Sequence, residues 1–211
     1  MCWDESVGSI ETWTSYCNSI GDRSELFTAL VAAWPIRRAL YPGSYLDLSP
    51  SVAIPSVTYV DTDRRAAKYF GRRDLVHADW QSHGGTGALP EIEFIAADYT
   101  KPLPLPPAHF DLLISLYAGP VWQHCGAHLQ PGGLLLANAS HGDASLAALD
   151  PDLQLVAAVL HRDSRYRLDD GDLDRYLVPK NPRAADPALI RRQGRGIAYT
   201  KPAFAYVFRT T

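Results

Sequence analysis

The feature that most constrains the fold is a series of short, continuously apolar segments separated by helix-type segments. Strands that lack alternation between apolar and polar residues are buried on both faces, as in a parallel sheet covered by helices. The apolar segments lie at 37–41, 56–61, 92–98, 110–116, 133–139, 153–160 and 204–210. Their alternation with helices predicts an α/β, doubly wound, mainly parallel seven-stranded sheet with helices on both faces and an antiparallel last strand. The last two segments are expected to form an antiparallel pair.

The helix-type segments carry recognisable start and stop signals. Asp22 can cap SELFTALVAAW, and either Asp61 or Asp63 can open the basic segment RRAAKYFGRR, which Gly71 would end. The segment PVWQHCGAHL is expected to form a helix that stops at the Pro131–Gly132–Gly133 turn. We therefore expect a single domain over 1–211, with an N-terminal helical segment at 1–36 and a possible substrate lid at 161–203.

Composition excludes several functional classes. The chain has 211 residues, a net charge of −3 and three scattered cysteines, Cys2, Cys17 and Cys125. The charge does not suggest a binder of nucleic acid, and no apolar run approaches the ~18 residues that span a bilayer. An odd, small number of cysteines predicts free thiols in a reducing, cytoplasmic setting.

Three polar or glycine positions follow predicted strands. Gly43 comes after the first strand, Asp61 ends the second and Asp98 ends the third. In a doubly wound sheet, ligands bind in the crevice beyond the carboxyl ends of the strands. The later motifs are FDLLIS, at the fourth strand, and LQPGGLLL, which leads into the fifth.

In this order, the motifs at residues 37–139 resemble those of class I S-adenosylmethionine-dependent methyltransferases. The resemblance implies S-adenosylmethionine as cofactor, with Asp61 bonding the ribose hydroxyls and Asp98 bonding the adenine amino group. The cofactor-binding residues implied by it are Tyr41, Gly43, Ser44, Asp47, Asp61, Thr62, Asp98, Tyr99, Ser115, Leu116 and Tyr117.

The glycine loop departs from the family pattern G-x-G-x-G. Only Gly43 is kept, while Tyr45 and Asp47 fill the other two positions. If the loop binds cofactor, the Tyr45 ring must turn out of the cleft. Asp47 then either faces the ammonium group of the cofactor or caps the next segment through the amide of Ser49.

Few catalytic side chains are expected, because in-line methyl transfer depends mainly on positioning and sometimes on a general base. Tyr117 and His141 are the candidates. No metal is expected at His124 and His128, which share a helix face but lack further ligands.

The acceptor is expected to be a small molecule or a protein rather than nucleic acid or a membrane. The alternative is a catalytically inactive methyltransferase-like binding or structural protein. A nicotinamide-dependent oxidoreductase is disfavoured because G-x-G-x-x-G is absent.

Overall fold

The computed structural model describes residues 10–211, so residues 1–9 of the predicted N-terminal helical segment, including Cys2, lie outside the described residues. Its centre is one eight-stranded sheet in the order β3-β2-β1-β4-β5-β8-β6-β7. The strands are β1 (Arg38–Pro42), β2 (Ser56–Asp61), β3 (Glu91–Ala96), β4 (Phe110–Ser115), β5 (Leu129–Ala137), β6 (Leu153–Arg162), β7 (Arg165–Asp169) and β8 (Ala205–Thr210).

The first five strands are parallel, and β8 pairs antiparallel with both β5 and β6. The predicted doubly wound, mainly parallel sheet with an antiparallel last strand is therefore confirmed. The count of seven strands is wrong, because β7 is an additional edge strand that forms an antiparallel hairpin with the predicted strand β6. Asp163 and Ser164 turn the chain there with φ of 52° and 60°. Two central residues with positive φ match a two-residue hairpin turn whose twist suits the strands.

The helices are α1 (Trp13–Ile20), α2 (Ser24–Ala33), α3 (Arg64–Phe70), α4 (Arg73–Ser82), α5 (Val121–Cys125), α6 (Asp143–Ala147) and α7 (Pro187–Gln193). Asp63 is the N-cap of α3, which decides between the two predicted caps. The N-cap of α2 is Arg23, although Asp22 accepts the Ser24 N–H. The predicted stop at residues 131–133 is wrong, because α5 ends at Cys125 and β5 already begins at Leu129.

Side chains from the same strand enter two cores on opposite faces of the sheet. In β1, Ala39 and Tyr41 join the core that contains Trp13 and Tyr59, whereas Leu40 joins the core that contains Phe208. Burial on both faces explains why these strands are apolar throughout. Within residues 10–211, no helix is long and apolar enough to cross a membrane.

The strand order places a topological switch point at β1, which lies between β2 and β4. The connections on its two sides run to opposite halves of the sheet, so a crevice opens beyond the carboxyl ends of the strands. The loops after β1, β2 and β3 meet at this edge.

Candidate functional site

A cleft of ≈ 290 Å³ lies at the carboxyl ends of β1, β2 and β3. Its lining residues are Gly43, Asp61, Thr62, Ala97, Asp98 and Tyr99. All except Ala97 belong to the residues that the sequence assigned to cofactor binding. The parallel strands end at one edge of the sheet, and this common edge brings the five together.

Asp61 holds the loop that follows β1. Its Oδ2 accepts the Tyr45 N–H at 2.8 Å, and its Oδ1 accepts the Asp63 N–H at 2.8 Å. A carboxylate has about four lone-pair sites, so both oxygens keep capacity for another donor. Asp61 can therefore order the loop and still bond a ligand in the cleft.

Asp98 presents a second carboxylate to the same cleft. Its Oδ1 accepts the Thr100 hydroxyl at 2.7 Å and the Thr100 N–H at 2.9 Å. These bonds, the hydroxyl first, lower the pKa of the exposed Asp98 carboxyl. Asp98 is therefore ionised at neutral pH, and its role in a site is that of a hydrogen-bond acceptor.

Gly43 is held between β2 and the segment 116–120. Its N–H donates to the Val60 carbonyl at 2.8 Å, and its φ is +66°. A Cβ at this position would lie 2.7 Å from the Ala118 Cβ. The Tyr99 hydroxyl fixes the same segment by accepting the Gly119 N–H at 2.9 Å. The segment after β4 thus lies directly against the glycine turn.

Five other predicted cofactor-binding residues are buried and do not line the cleft, namely Tyr41, Ser44, Asp47, Ser115 and Leu116. The Asp47 carboxylate is 1% exposed. Its Oδ1 accepts the Ser49 N–H at 3.1 Å and the Ser49 hydroxyl at 2.5 Å. Asp47 therefore makes the expected contact with the Ser49 amide, although the N-cap of the following 3-10 turn, Ser49–Val52, is Leu48.

The other Asp47 oxygen makes a buried ion pair that the sequence did not reveal. Asp47 Oδ2 accepts Arg23 Nη1 at 2.8 Å and the Tyr41 hydroxyl at 3.0 Å. Burial opposes the charge of the Arg23 guanidinium, but Asp47, Tyr41 and Tyr117 together outweigh burial and raise the arginine pKa. Arg23 Nε has no partner within the described chain. The ion pair joins the start of α2 to the loop after β1.

Tyr45 is directed away from the cleft. It has a φ of 46°, and its hydroxyl donates to Glu11 Oε2 at 2.6 Å. The ring meets Tyr16 edge-on with centroids 5.0 Å apart, and the Arg65 guanidinium lies 4.9 Å from its centroid. A tyrosine at the second glycine position therefore leaves the cleft volume free.

The two catalytic candidates are linked through Asn138 and Ser140. The Tyr117 N–H donates to Asn138 Oδ1 at 3.3 Å, and the Ser140 hydroxyl donates to the same oxygen at 3.0 Å. His141 Nδ1 lies 2.9 Å from that hydroxyl. Asn138 directly follows β5. Its position after the apolar strand segment LLLA is the only sequence signal that could have pointed to a role for Asn138 in the site.

Tyr117 is half exposed and adopts a φ of 58°. A non-glycine residue in this region is strained, and such residues cluster at functional sites. The Arg23 guanidinium lies 4.9 Å from the centroid of its ring, and Phe204 meets it edge-on at 6.4 Å. Phe204 also contacts the stacked rings of His161 and Tyr166, which are 4.3 Å apart. Burial raises the pKa of Tyr166 to about 12.

A buried carboxyl group lies behind the segment after β4. Asp143 begins α6, and its Oδ2 accepts the Trp122 N–H at 3.2 Å. Its Oδ1 and the hydroxyl of Ser115 have no partner among residues 10–211. Burial raises the pKa of Asp143. This group was not among the sequence-derived candidates.

His124 lies in α5 and His128 in the 3-10 turn that follows, so the prediction that they share one helix face is wrong. Across the described residues, no group of three or more His, Cys, Asp or Glu side chains has suitable geometry. His128 Nδ1 lies 3.0 Å from the Pro106 carbonyl instead.

No protein-family model matches the chain, and no curated protein matches its sequence. Similar solved structures include the O-methyltransferase TomG from Streptomyces achromogenes in complex with SAM, with 16% identity over 69% of this chain and 76% of that chain and a TM-score of 0.46. A methyltransferase from Geobacter sulfurreducens has 15% identity over 70% and 81% of the two chains and a TM-score of 0.48. The tRNA (m1A58) methyltransferase TrmI from Aquifex aeolicus has 13% identity over 89% and 68% and a TM-score of 0.45.

Proposed function

We propose that this chain is a class I S-adenosylmethionine-dependent methyltransferase that acts on a small molecule or a protein. One observation carries the proposal. Asp61 ends β2, Asp98 lies two residues after the adjacent parallel strand β3, and both carboxylates line one cleft beside Gly43. This edge of a doubly wound sheet is where nucleotide-like ligands bind.

The lining residues fit the nucleoside part of the cofactor. Asp61 has acceptor capacity for the two ribose hydroxyls, and Asp98 can accept from the adenine amino group. Tyr99 offers its ring beside Asp98. The cleft volume of ≈ 290 Å³ is at the lower end of the ~300–1,000 Å³ typical of ligand pockets, which suits a nucleoside more than a larger group.

The amino-acid part of the cofactor has fewer assigned partners. Asp47 is engaged by Arg23, Tyr41 and Ser49, so we do not assign the ammonium group to it. When bound, S-adenosylmethionine supplies an electrophilic methyl group on its sulfonium. We assign the reacting end to the side of the cleft where Tyr117 follows β4, because Ala118 in the same segment contacts Gly43.

His141 is the residue that we assign to proton removal from the acceptor. Its Nδ1 is engaged with the Ser140 hydroxyl, which leaves Nε2 to accept a proton. Imidazole is the side chain that most often serves as a general base in enzymes. Tyr117, beside it through Asn138, would position the acceptor.

Calorimetric titration with S-adenosylmethionine and S-adenosylhomocysteine tests the proposal. Saturable one-to-one binding of both compounds is expected. A chain that binds neither would not be a methyltransferase, and a chain that binds both but never transfers a methyl group would be the inactive, binding form of the fold.

A further inference from the structure

A second cleft of ≈ 350 Å³ lies within the C-terminal part of the chain. Among its lining residues are the cations Lys180 and Arg195 and the amides Asn181 and Gln193. No carboxylate of the described residues lines it. Its polar lining groups are therefore suited to an anion.

The segment around this cleft carries uncompensated positive charge. Between residues 180 and 196 stand five cations, Lys180, Arg183, Arg191, Arg192 and Arg195. None of them forms a salt bridge within the described part of the chain. The single carboxylate of the segment, Asp186, accepts the N–H groups of Ala188 and Leu189 as the cap of α7. In a chain with a net charge of −3, this local excess of like charges favours a bound anion.

The cleft is attached to the loop that carries His141, one of the two catalytic candidates. The Gly196 N–H donates to the Ala139 carbonyl at 2.9 Å, and a Cβ on Gly142 would lie 3.3 Å from the backbone of Arg195. On the opposite side of the cleft, the Lys180 N–H donates to the Ala198 carbonyl at 2.9 Å, which joins two of the lining residues. The loop 138–142, with His141 at its tip, thus lies between the cleft and Tyr117.

We propose that the cleft binds an anionic group, a phosphate or a carboxylate, on a small-molecule methyl acceptor. Assignment to the acceptor rests on the proposed function, whereas anion binding does not. A small concave site with two cations and two amides suits one compact anion. A nucleic acid would instead need an extended basic surface, and the net charge of the chain disfavours one.

Titrations without S-adenosylmethionine test the anion site directly. Inorganic phosphate and succinate are the probes, and backbone amide shifts in NMR spectra report where each one binds. Perturbations centred on residues 180–198 of the unmodified protein are expected with one or both probes. Which probe binds more tightly identifies the anionic group.

The variant K180A/R195A should bind the preferred probe about tenfold more weakly or worse, since each substitution removes a charge-assisted hydrogen bond. The control K68A/R73A removes two exposed cations, one from α3 and one from α4. Neither residue lines this cleft. The control should change the affinity for the probe less than about twofold, because exposed charges far from the site are screened.

Three results would overturn the inference. The first is amide shifts spread over the whole surface, and the second is an equal loss of probe affinity in both variants. The third is tight binding of a single-stranded oligonucleotide by a protein that binds neither phosphate nor succinate. Even if K180A/R195A does not fold, the amide shifts of the unmodified protein show whether the anion binds at residues 180–198. Because the cofactor is absent, failure of the anion site and failure to bind S-adenosylmethionine are separate results.

Discussion

At the scale of single residues, Gly43 is required by two independent constraints. Its φ is positive, and the Ala118 Cβ fills the place of its missing side chain. Gly132 has a similar φ of +73°, but apart from its chain neighbours no atom of residues 10–211 lies within 4 Å of the place that a Cβ would take. A comparison of substitutions at the two glycines therefore distinguishes the cost of backbone strain, which both share, from the cost of the steric contact with Ala118, which only Gly43 has.

We expect Gly43→Ala to destabilise the protein more than Gly132→Ala. Both incur the left-handed penalty of about 1–2 kcal/mol, and only the first adds overpacking of about 1–3 kcal/mol. Urea unfolding measures the difference. Adding Ala118→Gly to Gly43→Ala should recover the extra loss, and equal effects of the two single substitutions would show that the Ala118 contact is unimportant.

Asp143 predicts a dependence of stability on pH. Burial raises its pKa in the folded chain, so the native state binds more protons than the unfolded state between the two pKa values. Stability from this group therefore falls as the pH rises through that interval and stays low above it. Asp143→Asn removes the titration and keeps a polar side chain beside the Ser115 hydroxyl, which lowers the pKa of the carboxyl by less than burial raises it.

The Asp143→Asn protein should consequently have a higher melting temperature than the parent at pH 7.5, and the gap should shrink toward pH 4, where the unfolded carboxyl also becomes protonated. Thermal unfolding followed by circular dichroism at both pH values checks this. A variant less stable than the parent at pH 7.5 would mean that the ionised carboxylate is needed there.

At the scale of elements, the Arg23–Asp47 ion pair fastens the start of α2 to the loop after β1. Both side chains are at most 5% exposed. Removing one partner of a buried pair leaves the other charge uncompensated, which costs about 3–5 kcal/mol. We expect a loss of this size for Arg23→Met in urea unfolding, with part of it recovered in R23M/D47N. A loss below about 1 kcal/mol, the scale of an exposed pair, would contradict a role for this contact in the fold.

The elements that the sequence predicted well are those that one-dimensional patterns determine. The apolar strands β1, β2 and β4 are buried on both faces, so their composition alone marks them. β7, with the sequence RYRLD, is a polar edge strand, and its Asp163–Ser164 turn lacks the usual glycine. Gly71 ends α3 as predicted, but α4 was missed because this second helix begins at Arg73, after the single non-helical residue Arg72.

The same distinction holds for the candidate site. Gly43, Asp61 and Asp98 could be predicted because they follow strands, and strand ends of a parallel sheet converge. Arg23 and Asn138 could not, because their roles depend on tertiary partners far along the chain. For Asp47 the sequence predicted either a contact with the ammonium group of the cofactor or a cap through the Ser49 amide. Only the fold reveals that Asp47 Oδ2 accepts a hydrogen bond from Arg23.

At the scale of the whole molecule, one edge of the sheet carries both clefts. The loops after β1, β2 and β3 line the first, and the loop after β5 supports the second. Tyr117 and His141 lie between them along the chain of contacts through Asn138. This arrangement would place the cofactor on one side and an anionic acceptor on the other.

The most direct test of the central claim compares Asp61→Asn with Asp111→Asn in calorimetric titrations with S-adenosylhomocysteine. The two carboxylates are matched, because each accepts two backbone N–H groups, Asp61 at the carboxyl end of β2 and Asp111 near the start of β4. If the first cleft holds the ribose, Asp61→Asn should weaken binding by about 1.5–3 kcal/mol, the scale of charge-assisted hydrogen bonds, while Asp111→Asn leaves it unchanged. A parent that does not bind, or an Asp61→Asn protein that binds as tightly as the parent, would contradict the claim.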